Sequence, residues 1–290
     1  MVFGHQVDFT AYPFLNDTSG GIPLHSPITV APKQLPQFAY LSDYFPHSAK
    51  EVRHGSHIPF SEMKGRQHEW MLEVTDVLKL VWFPHSRTIG YEEGAAFTPE
   101  QLRFWVYHTF LPLLFQLEQV YHMFHVGSVE IDGKAVIFSA PSFGGKSTLT
   151  HYCLQRGHRL LGDDTLAIHT ENDGTFRAVA SWPFVRPYRQ PAVLGDAAEA
   201  FVTSPLKIGA VFVLKQVEGN VDIDIAPLKG IAKFKALHAA DFSPIGFFKK
   251  EHFVFHMQFA KQTPLYEIAV PQNFARLGEV YAAIQDTLLS

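Results

Sequence analysis

The residues of this chain best suited to chemistry lie between Ala140 and Asp164. A glycine-rich loop ends in Lys146 and Ser147, and two adjacent aspartates follow at positions 163 and 164. A lysine and a hydroxyl at the start of a helix can hold phosphate groups and Mg²⁺, and carboxylates can hold a metal ion or accept a proton. The pattern therefore predicts a site where phosphate-binding groups meet metal- or proton-handling groups.

The loop, Ala140-Pro-Ser-Phe-Gly-Gly-Lys-Ser147, fits the phosphate-binding pattern G-x-x-x-x-G-K-[ST] at every defining position except the first, where alanine replaces glycine. Residues 135–138 predict a buried strand before it, and residues 147–155 predict a helix after it. The first N–H groups of such a helix lack intrahelical acceptors and favour an anion. The phosphate-binding residues predicted from this context are Ser142, Phe143, Gly144, Gly145, Lys146, Ser147 and Thr148. A glycine-rich turn that binds nothing is the alternative.

The two aspartates are expected to end a second strand, after Gly157 has closed the helix in a left-handed conformation. Adjacent side chains in an extended segment point to opposite sides, so Asp163 and Asp164 need not share a role. One can hold Mg²⁺ while the other accepts a proton from a hydroxyl. A polar turn without function is the alternative, since aspartates are frequent in turns.

Three segments together resemble the catalytic core of HPr kinase/phosphorylase. They are His-Val-Gly-Ser-Val-Glu-Ile-Asp-Gly from His125, the Gly-Gly-Lys-Ser loop, and Arg-Gly-His-Arg-Leu-Leu-Gly-Asp-Asp ending at Asp164. The resemblance implies an α/β P-loop kinase with a fold related to phosphoenolpyruvate carboxykinase, using ATP and Mg²⁺. It also implies that Lys146 binds phosphate, that Ser147 and Asp164 hold magnesium, that Asp163 is the general base and that His125 lies near the active site. The order of roles within the aspartate pair stays open.

The chain departs from true HPr kinases after the aspartates, where no counterpart of their glycine-rich signature segment follows, and in its N-terminal third, which does not resemble their regulatory domain. It is more similar to the compact HPr-kinase-related proteins, a group that includes peptide-tailoring serine kinases. Arg186 and Arg189 lie in a proline-bounded aromatic loop and are candidates for a second cationic clamp on the transferred phosphoryl group.

Composition favours an intracellular, cytoplasmic enzyme. The 290 residues are 47% apolar, and a net charge of −4 offers no broad attraction for nucleic acid. The single cysteine, Cys153, excludes an internal disulfide. The sequence shows neither a signal pattern nor an apolar stretch long enough to span a bilayer, so a membrane role is not expected. The oligomeric state cannot be deduced from the sequence.

Two domains are predicted, a β-rich N-terminal region over residues 1–95 and a kinase core over residues 96–290. A capping box at Thr98 predicts a helix from there to about Tyr121, bent at Pro112. Strands are predicted over residues 211–214, 221–225 and 265–270, and helices over residues 231–239 and 274–288. Strands alternating with helices indicate an α/β sheet with helical cover.

Two close histidine pairs, His54 with His57 and His122 with His125, lack nearby partners at a recognised metal-ligand spacing, so a zinc site is not favoured. The leading hypothesis is an ATP- and Mg²⁺-dependent kinase that phosphorylates a hydroxyl, with a serine in a peptide or protein as the first choice of acceptor. A kinase for a small molecule such as free serine or a sugar alcohol is the second hypothesis. A nucleotide-binding regulatory protein without turnover is the third.

Overall fold

The computed structural model describes residues 1–17, 19–42, 52–59, 62–63, 68–187, 193–219, 221–243 and 248–289. The chain divides into two compact units. One consists of residues 1–121 and 186–196, and the other of residues 122–185 and 197–290. The sequence analysis predicted a boundary near residue 95. In the structure, the helical segment that follows residue 98 belongs to the same unit as the N-terminal strands.

The first unit contains a mixed sheet with strand order β1-β2-β7-β6-β5-β4-β3. The first two strands and β7 run parallel to one another, and the remaining neighbours pair antiparallel. Trp70 on this sheet packs at 4.5 Å, centroid to centroid, against Phe110 of the helical segment. The strands are β1 (Val7–Phe9), β2 (Ile28–Pro32), β3 (Tyr40–Ser42), β4 (Val52–Ser56), β5 (Trp70–Val74), β6 (Leu78–Phe83) and β7 (Thr88–Glu93).

The helical segment begins where the capping box predicts. Thr98 accepts a hydrogen bond at its hydroxyl from the backbone N–H of Gln101, at 3.2 Å. The segment runs through α1 (Pro99–Phe104), a π-helical stretch (Trp105–Phe110) and α2 (Leu111–Leu117), so it ends four residues before the predicted Tyr121. The π-helical stretch ends two residues before Pro112. The ring of a proline and its missing N–H are incompatible with regular α-helical bonding to the preceding turn.

The second unit alternates strands and helices, which confirms the mixed α/β class. Its strands are β8 (His122–Phe124), β9 (Gly127–Ile131), β10 (Lys134–Ser139), β11 (Arg159–Gly162), β12 (Leu166–Thr170), β13 (Phe176–Val179), β14 (Phe184–Val185), β15 (Asp196–Ala197, with Asp196 counted in the first unit), β16 (Leu206–Val217), β17 (Ile225–Pro227) and β18 (Leu265–Pro271). Its helices are α3 (Lys146–Gln155), α4 (Ile231–Ala240), α5 (Lys249–Gln262) and α6 (Leu277–Leu289).

The main sheet of this unit has the order β11-β9-β10-β16-β13-β12-β8, with β18 beside the second half of β16 and β17 beside β18. Strand β9 pairs antiparallel with both β10 and β11, so these two run in the same direction. Strands β16 and β18 share that direction too. The carboxyl ends of these four strands therefore meet at one edge of the sheet, the usual place for ligands in open α/β folds.

Both faces of the sheet are covered, as the alternation along β10 shows. Ala135 and Ile137 belong to an apolar core that includes Leu237 of α4 and Phe259 of α5. Their neighbours Val136 and Phe138 lie in a second core, together with Leu149 and Cys153 of α3 and Val280, Tyr281 and Ile284 of α6. Because successive side chains of a strand face opposite sides, this one strand anchors helices on both faces.

The predictions for the C-terminal half are largely confirmed. The strands predicted over 211–214 and 265–270 lie within β16 and β18, and the helix over 231–239 is α4. The predicted strand over 221–225 is wrong, since only Ile225 belongs to β17. Helix α5 was not predicted, and α6 begins at Leu277 after a 3-10 turn over Phe274–Arg276. Among the described residues, no helix is both long and apolar enough to cross a membrane.

Candidate functional site

The loop between β10 and α3 forms a tight turn at the carboxyl edge of the sheet. The N–H of Gly144 donates to the carbonyl of Pro141 at 2.9 Å. Phe143 and Gly145 both adopt positive φ angles, +62° and +94°, and Gly145 is the residue that precedes the first turn of α3. These conformations direct the chain into the helix so that its first N–H groups face outward from the sheet edge.

Lys146 is the first residue of α3, and its side chain is buried. Its Nζ donates to the carbonyl oxygens of Ala140 at 2.7 Å and Pro141 at 3.4 Å. Burial lowers the pKa of this lysine, and the negative charges of Asp164 and Asp163 partly oppose that effect. The ammonium group therefore lies inside the loop and within electrostatic reach of both aspartates.

A glutamine that sequence patterns did not single out holds the tip of the loop. The side-chain amide of Gln216, near the end of β16, donates to the carbonyl of Phe143 at 3.2 Å. Gln272, just after β18, donates in turn to the Gln216 side chain at 3.3 Å. Both residues sit at the carboxyl ends of strands parallel to β10, which is why they reach the loop. No local pattern in the sequence carries this signal.

The aspartate pair, expected to end a strand, lies in the bend that directly follows β11. Asp163 is 1% exposed, and the Asp164 side chain is largely buried. The turn that carries them is tight, because a Cβ on Gly162 would lie 2.2 Å from the carbonyl oxygen of Thr165 and 2.7 Å from the hydroxyl of Ser181. Ser128 on β9 donates its hydroxyl to the Gly162 carbonyl at 3.2 Å. The position of the two carboxylates is thus set by packing around Gly162.

The two carboxylates have different histidine partners. Nδ1 of His125 lies 3.3 Å from Oδ1 of Asp164. Nε2 of His151, on α3, lies 3.8 Å from Oδ2 of Asp163, an ion-pair distance rather than a hydrogen-bond distance. This interaction with Asp163 raises the pKa of His151 above its ordinary 6.5, against a smaller lowering by burial. The separate partners agree with the expectation that the carboxylates point apart.

His151 is a further residue that the sequence reasoning missed. It stands four positions after Ser147, so the two side chains share one face of α3. That spacing is the signal that could have identified it. The resemblance placed His125 near the active site, and the structure places it beside Asp164. Its imidazole is 38% exposed, and its backbone N–H donates to the carbonyl of Ala240 at 2.7 Å.

The remaining predicted loop residues surround the start of α3. Ser142, Phe143 and Ser147 are exposed, with Phe143 at 77%, while Thr148 is half-buried. Hydroxyl groups and backbone amides at this end of the helix are therefore open to a ligand from solvent.

Arg186 belongs to the first unit. Its Nη1 donates to Nε2 of His108 at 3.0 Å, and its guanidinium lies 5.9 Å from the ring centroid of Phe104. Because the arginine can only donate, His108 accepts at Nε2 and can carry its proton on Nδ1, 3.2 Å from the hydroxyl of Thr109. The role predicted for Arg186 toward a phosphoryl group stays a prediction. Arg189 lies outside the described residues.

Taken together, the second unit places an ammonium, two carboxylates, two imidazoles and a helix N-terminus at one sheet edge. Such a set can neutralise a polyphosphate, hold a divalent cation and accept a proton. No protein-family model matches the chain, and no curated protein matches it. Among solved structures it is similar to the Hpr(Ser) kinase/phosphatase from Coxiella burnetii, with 14% sequence identity and a TM-score of 0.35. That match covers 58% of this chain and 96% of the other. At this TM-score the likeness establishes neither fold nor activity.

Proposed function

We propose that this protein is an ATP- and Mg²⁺-dependent phosphotransferase that moves the γ-phosphoryl group of ATP to a hydroxyl, with a serine in a peptide or protein as acceptor. One observation carries the proposal: helix α3, which begins at Lys146, lies beside the aspartate pair, with Nε2 of its His151 3.8 Å from Oδ2 of Asp163. A loop that only bound phosphate would not require two carboxylates beside its lysine. Phosphoryl transfer requires both, because a metal ion must be held and a hydroxyl must lose its proton.

The residues divide the work by position. The loop amides and Lys146 bind the β- and γ-phosphates, with the Lys146 ammonium turning from the Ala140 and Pro141 carbonyls to phosphate oxygens. Ser147 and Asp164 are the side chains that would hold Mg²⁺, which neutralises the charge of the transferring group. This oxygen-rich pair fits the preference of magnesium for hard ligands.

Asp163 is the residue proposed to act as general base. The acceptor oxygen forms a bond to the γ-phosphorus, the bond from that phosphorus to the β,γ-bridging oxygen breaks, and ADP leaves. The acceptor proton passes to the Asp163 carboxylate. His151, at 3.8 Å from that carboxylate, adjusts its basicity through its own charge. His125 orients the other carboxylate, Asp164.

The test is a transfer assay with Mg-ATP and a panel of serine-bearing peptides, free serine and sugar alcohols, following both ADP release and phosphorylated product. Three variants accompany the wild type: Lys146→Met, Asp163→Asn and the control Asp173→Asn. Asp163 precedes strand β12, and Asp173 follows it. The two residues are therefore separated by the length of this strand, which extends by about 3.3 Å per residue. Asp173 is exposed, and its carboxylate accepts hydrogen bonds from Thr175 within its own turn.

Asp163→Asn is expected to lower transfer by about 10²- to 10⁴-fold with nucleotide affinity largely kept, as for removal of a general base. Lys146→Met is expected to lower both nucleotide affinity and transfer, the latter by about 10²-fold or more. Asp173→Asn should resemble the wild type. Nucleotide binding without turnover on any acceptor would instead support a regulatory nucleotide-binding protein, and product formed only with small alcohols would redirect the acceptor class.

A further inference from the structure

A second cluster of ionisable side chains lies in the same unit, centred on Asp241 just after α4. Oδ1 of Asp241 is 2.7 Å from Nε2 of His122 on β8 and 2.9 Å from Nε2 of His256 on α5. Its other oxygen, Oδ2, is 3.3 Å from Nδ1 of His238 and 3.7 Å from Nδ1 of His252. Four imidazoles from three elements thus converge on one carboxylate.

The inner three groups form a compact, enclosed set. One ligand atom each from His122, Asp241 and His256 can be chosen so that all lie within 4.8 Å of one another. The side chains of Asp241 and His256 are each 1% exposed, and that of His122 is 7% exposed. These three donor atoms come from distant parts of the chain, are shielded from water and can each be unprotonated. Protein metal sites are built from ligand atoms with these properties.

The surroundings of the cluster are apolar. The ring of Phe255 stacks on His122 at 3.7 Å between centroids, and Phe124 lies parallel to His256 at 6.4 Å. Phe124, Leu237 and Phe259 continue this wall into the main core. An apolar shell of this kind excludes competing water and strengthens the attraction between a cation and its ligands.

From this geometry we infer a binding site for one divalent transition-metal ion of the zinc class, held by His122, Asp241 and His256. Imidazole nitrogens with one carboxylate suit Zn²⁺ and its first-row neighbours, whereas Mg²⁺ and Ca²⁺ prefer sets made only of oxygen. His252 lies outside this three-ligand set: its side chain is 14% exposed, and its Nδ1 lies 3.7 Å from the other carboxylate oxygen, Oδ2, which His238 also approaches. Enclosure of the inner ligands makes the site structural rather than catalytic.

The ion would tie together parts of the chain that are far apart in sequence. His122 and Asp241 are separated by 119 residues, and His256 follows Asp241 by 15. The ion would thereby join β8, the end of α4 and the middle of α5. A metal that bridges such elements stabilises the folded state, because the unfolded chain offers no preformed site.

The test uses the full-length protein without a polyhistidine tag, stripped of metal with a chelator and titrated with Zn²⁺ against a competing dye. Wild-type protein is expected to bind about one equivalent tightly, to gain thermal stability, and to show nitrogen and oxygen ligands at ~2.0–2.1 Å by X-ray absorption spectroscopy. His256→Asn and Asp241→Asn are expected to lose about 100-fold or more in affinity, beyond the 10- to 100-fold cost of disturbing second-shell partners. The control His169→Asn, a partly exposed histidine on β12, should bind as the wild type does.

If the wild-type protein did not bind about one equivalent of Zn²⁺ tightly, the proposed site would be wrong. It would also be wrong if His256→Asn and His169→Asn bound Zn²⁺ with equal affinity. If the two ligand variants fail to fold, the absorption spectrum of the zinc-loaded wild type decides: two or more imidazoles support the site, and fewer than two contradict it. None of these measurements depends on phosphoryl transfer, so the metal site and the proposed activity can fail separately.

Discussion

His125 and Asp164 face each other across the carboxyl edge of the main sheet, with Nδ1 of the imidazole 3.3 Å from Oδ1 of the carboxylate. The histidine enters from the turn before β9 and the aspartate from the turn after β11, and these strands are hydrogen-bonded neighbours. The imidazole can therefore fix the direction in which Asp164 presents its oxygens to a ligand.

His125→Asn should weaken Mg²⁺ binding in the presence of ATP by about 10- to 100-fold, the usual cost of losing a group that orients a metal ligand. The affinity for ATP without metal should change little, because His125 is not one of the proposed phosphate ligands. Titration of Mg²⁺ at fixed ATP in the wild type, His125→Asn and the control His169→Asn measures the effect. Unchanged Mg²⁺ affinity in His125→Asn would remove the proposed link between the two residues.

His151 should make stability depend on pH. Its pKa is raised in the folded protein by Asp163, so its contribution is fully present below its unfolded value of 6.5 and disappears as the pH rises through the higher folded value. The contribution should be small, since the side chain is 47% exposed. Melting temperatures of wild type and His151→Asn should differ most at acidic pH and converge in alkaline buffer. A difference of the opposite slope would contradict the pairing with Asp163.

Gly162→Ala should destabilise the protein by about 1–3 kcal/mol, the typical cost of overpacking, because the added methyl would meet the Thr165 carbonyl and the Ser181 hydroxyl. Gly278→Ala in α6 is the matched control. Among the residues that the structure describes, its added methyl would meet the phenol oxygen of Tyr152 at 3.1 Å. Alanine favours a helix over glycine by about 0.5–1 kcal/mol. Urea unfolding measures the free energy of unfolding of both variants. Equal values would show that the turn before Asp163 can shift to make room for the added methyl group.

Cys153 should resist modification in the folded protein. Burial raises the pKa of its thiol to about 12, so the reactive thiolate is scarce at about pH 8. A thiol reagent should react at least about 100-fold faster in denaturant than in native buffer. Because the chain has one cysteine, the reaction reports a single position, and fast labelling of the native protein would contradict the packing of α3.

Local patterns predicted the parts of the fold whose structure is decided locally. Helix α3 begins within one residue of its predicted start. Gly157 follows the helix with a φ of +88°. Its backbone N–H donates to the carbonyl of Leu154, and the backbone N–H of His158 donates to the carbonyl of Cys153. This is the six-to-one and five-to-two pattern of a Schellman motif, which a glycine after a helix favours on its own.

Contacts made across the sheet could not be predicted in this way. Gln216 reaches the loop only because β16 lies beside β10, and Asp241 meets His122 only because α4 ends against β8. The pair of His122 and His125 illustrates the limit: the sequence offered neither histidine a partner at a metal-ligand spacing, yet the structure gives each its own carboxylate, Asp241 for His122 and Asp164 for His125. Strand order and helix placement decide such partners, and neither is written in a local window.

The interval between His122 and His125 has a consequence for how this protein can change. An odd spacing along an extended backbone puts the two rings on opposite sides, one toward Asp241 and one toward Asp164. Inserting a single residue between them would turn the second ring to the side of the first and displace the amide that bonds to Ala240. Replacing either histidine disturbs one neighbourhood, whereas altering the length of this stretch disturbs both, so indels here should be tolerated far less well than substitutions.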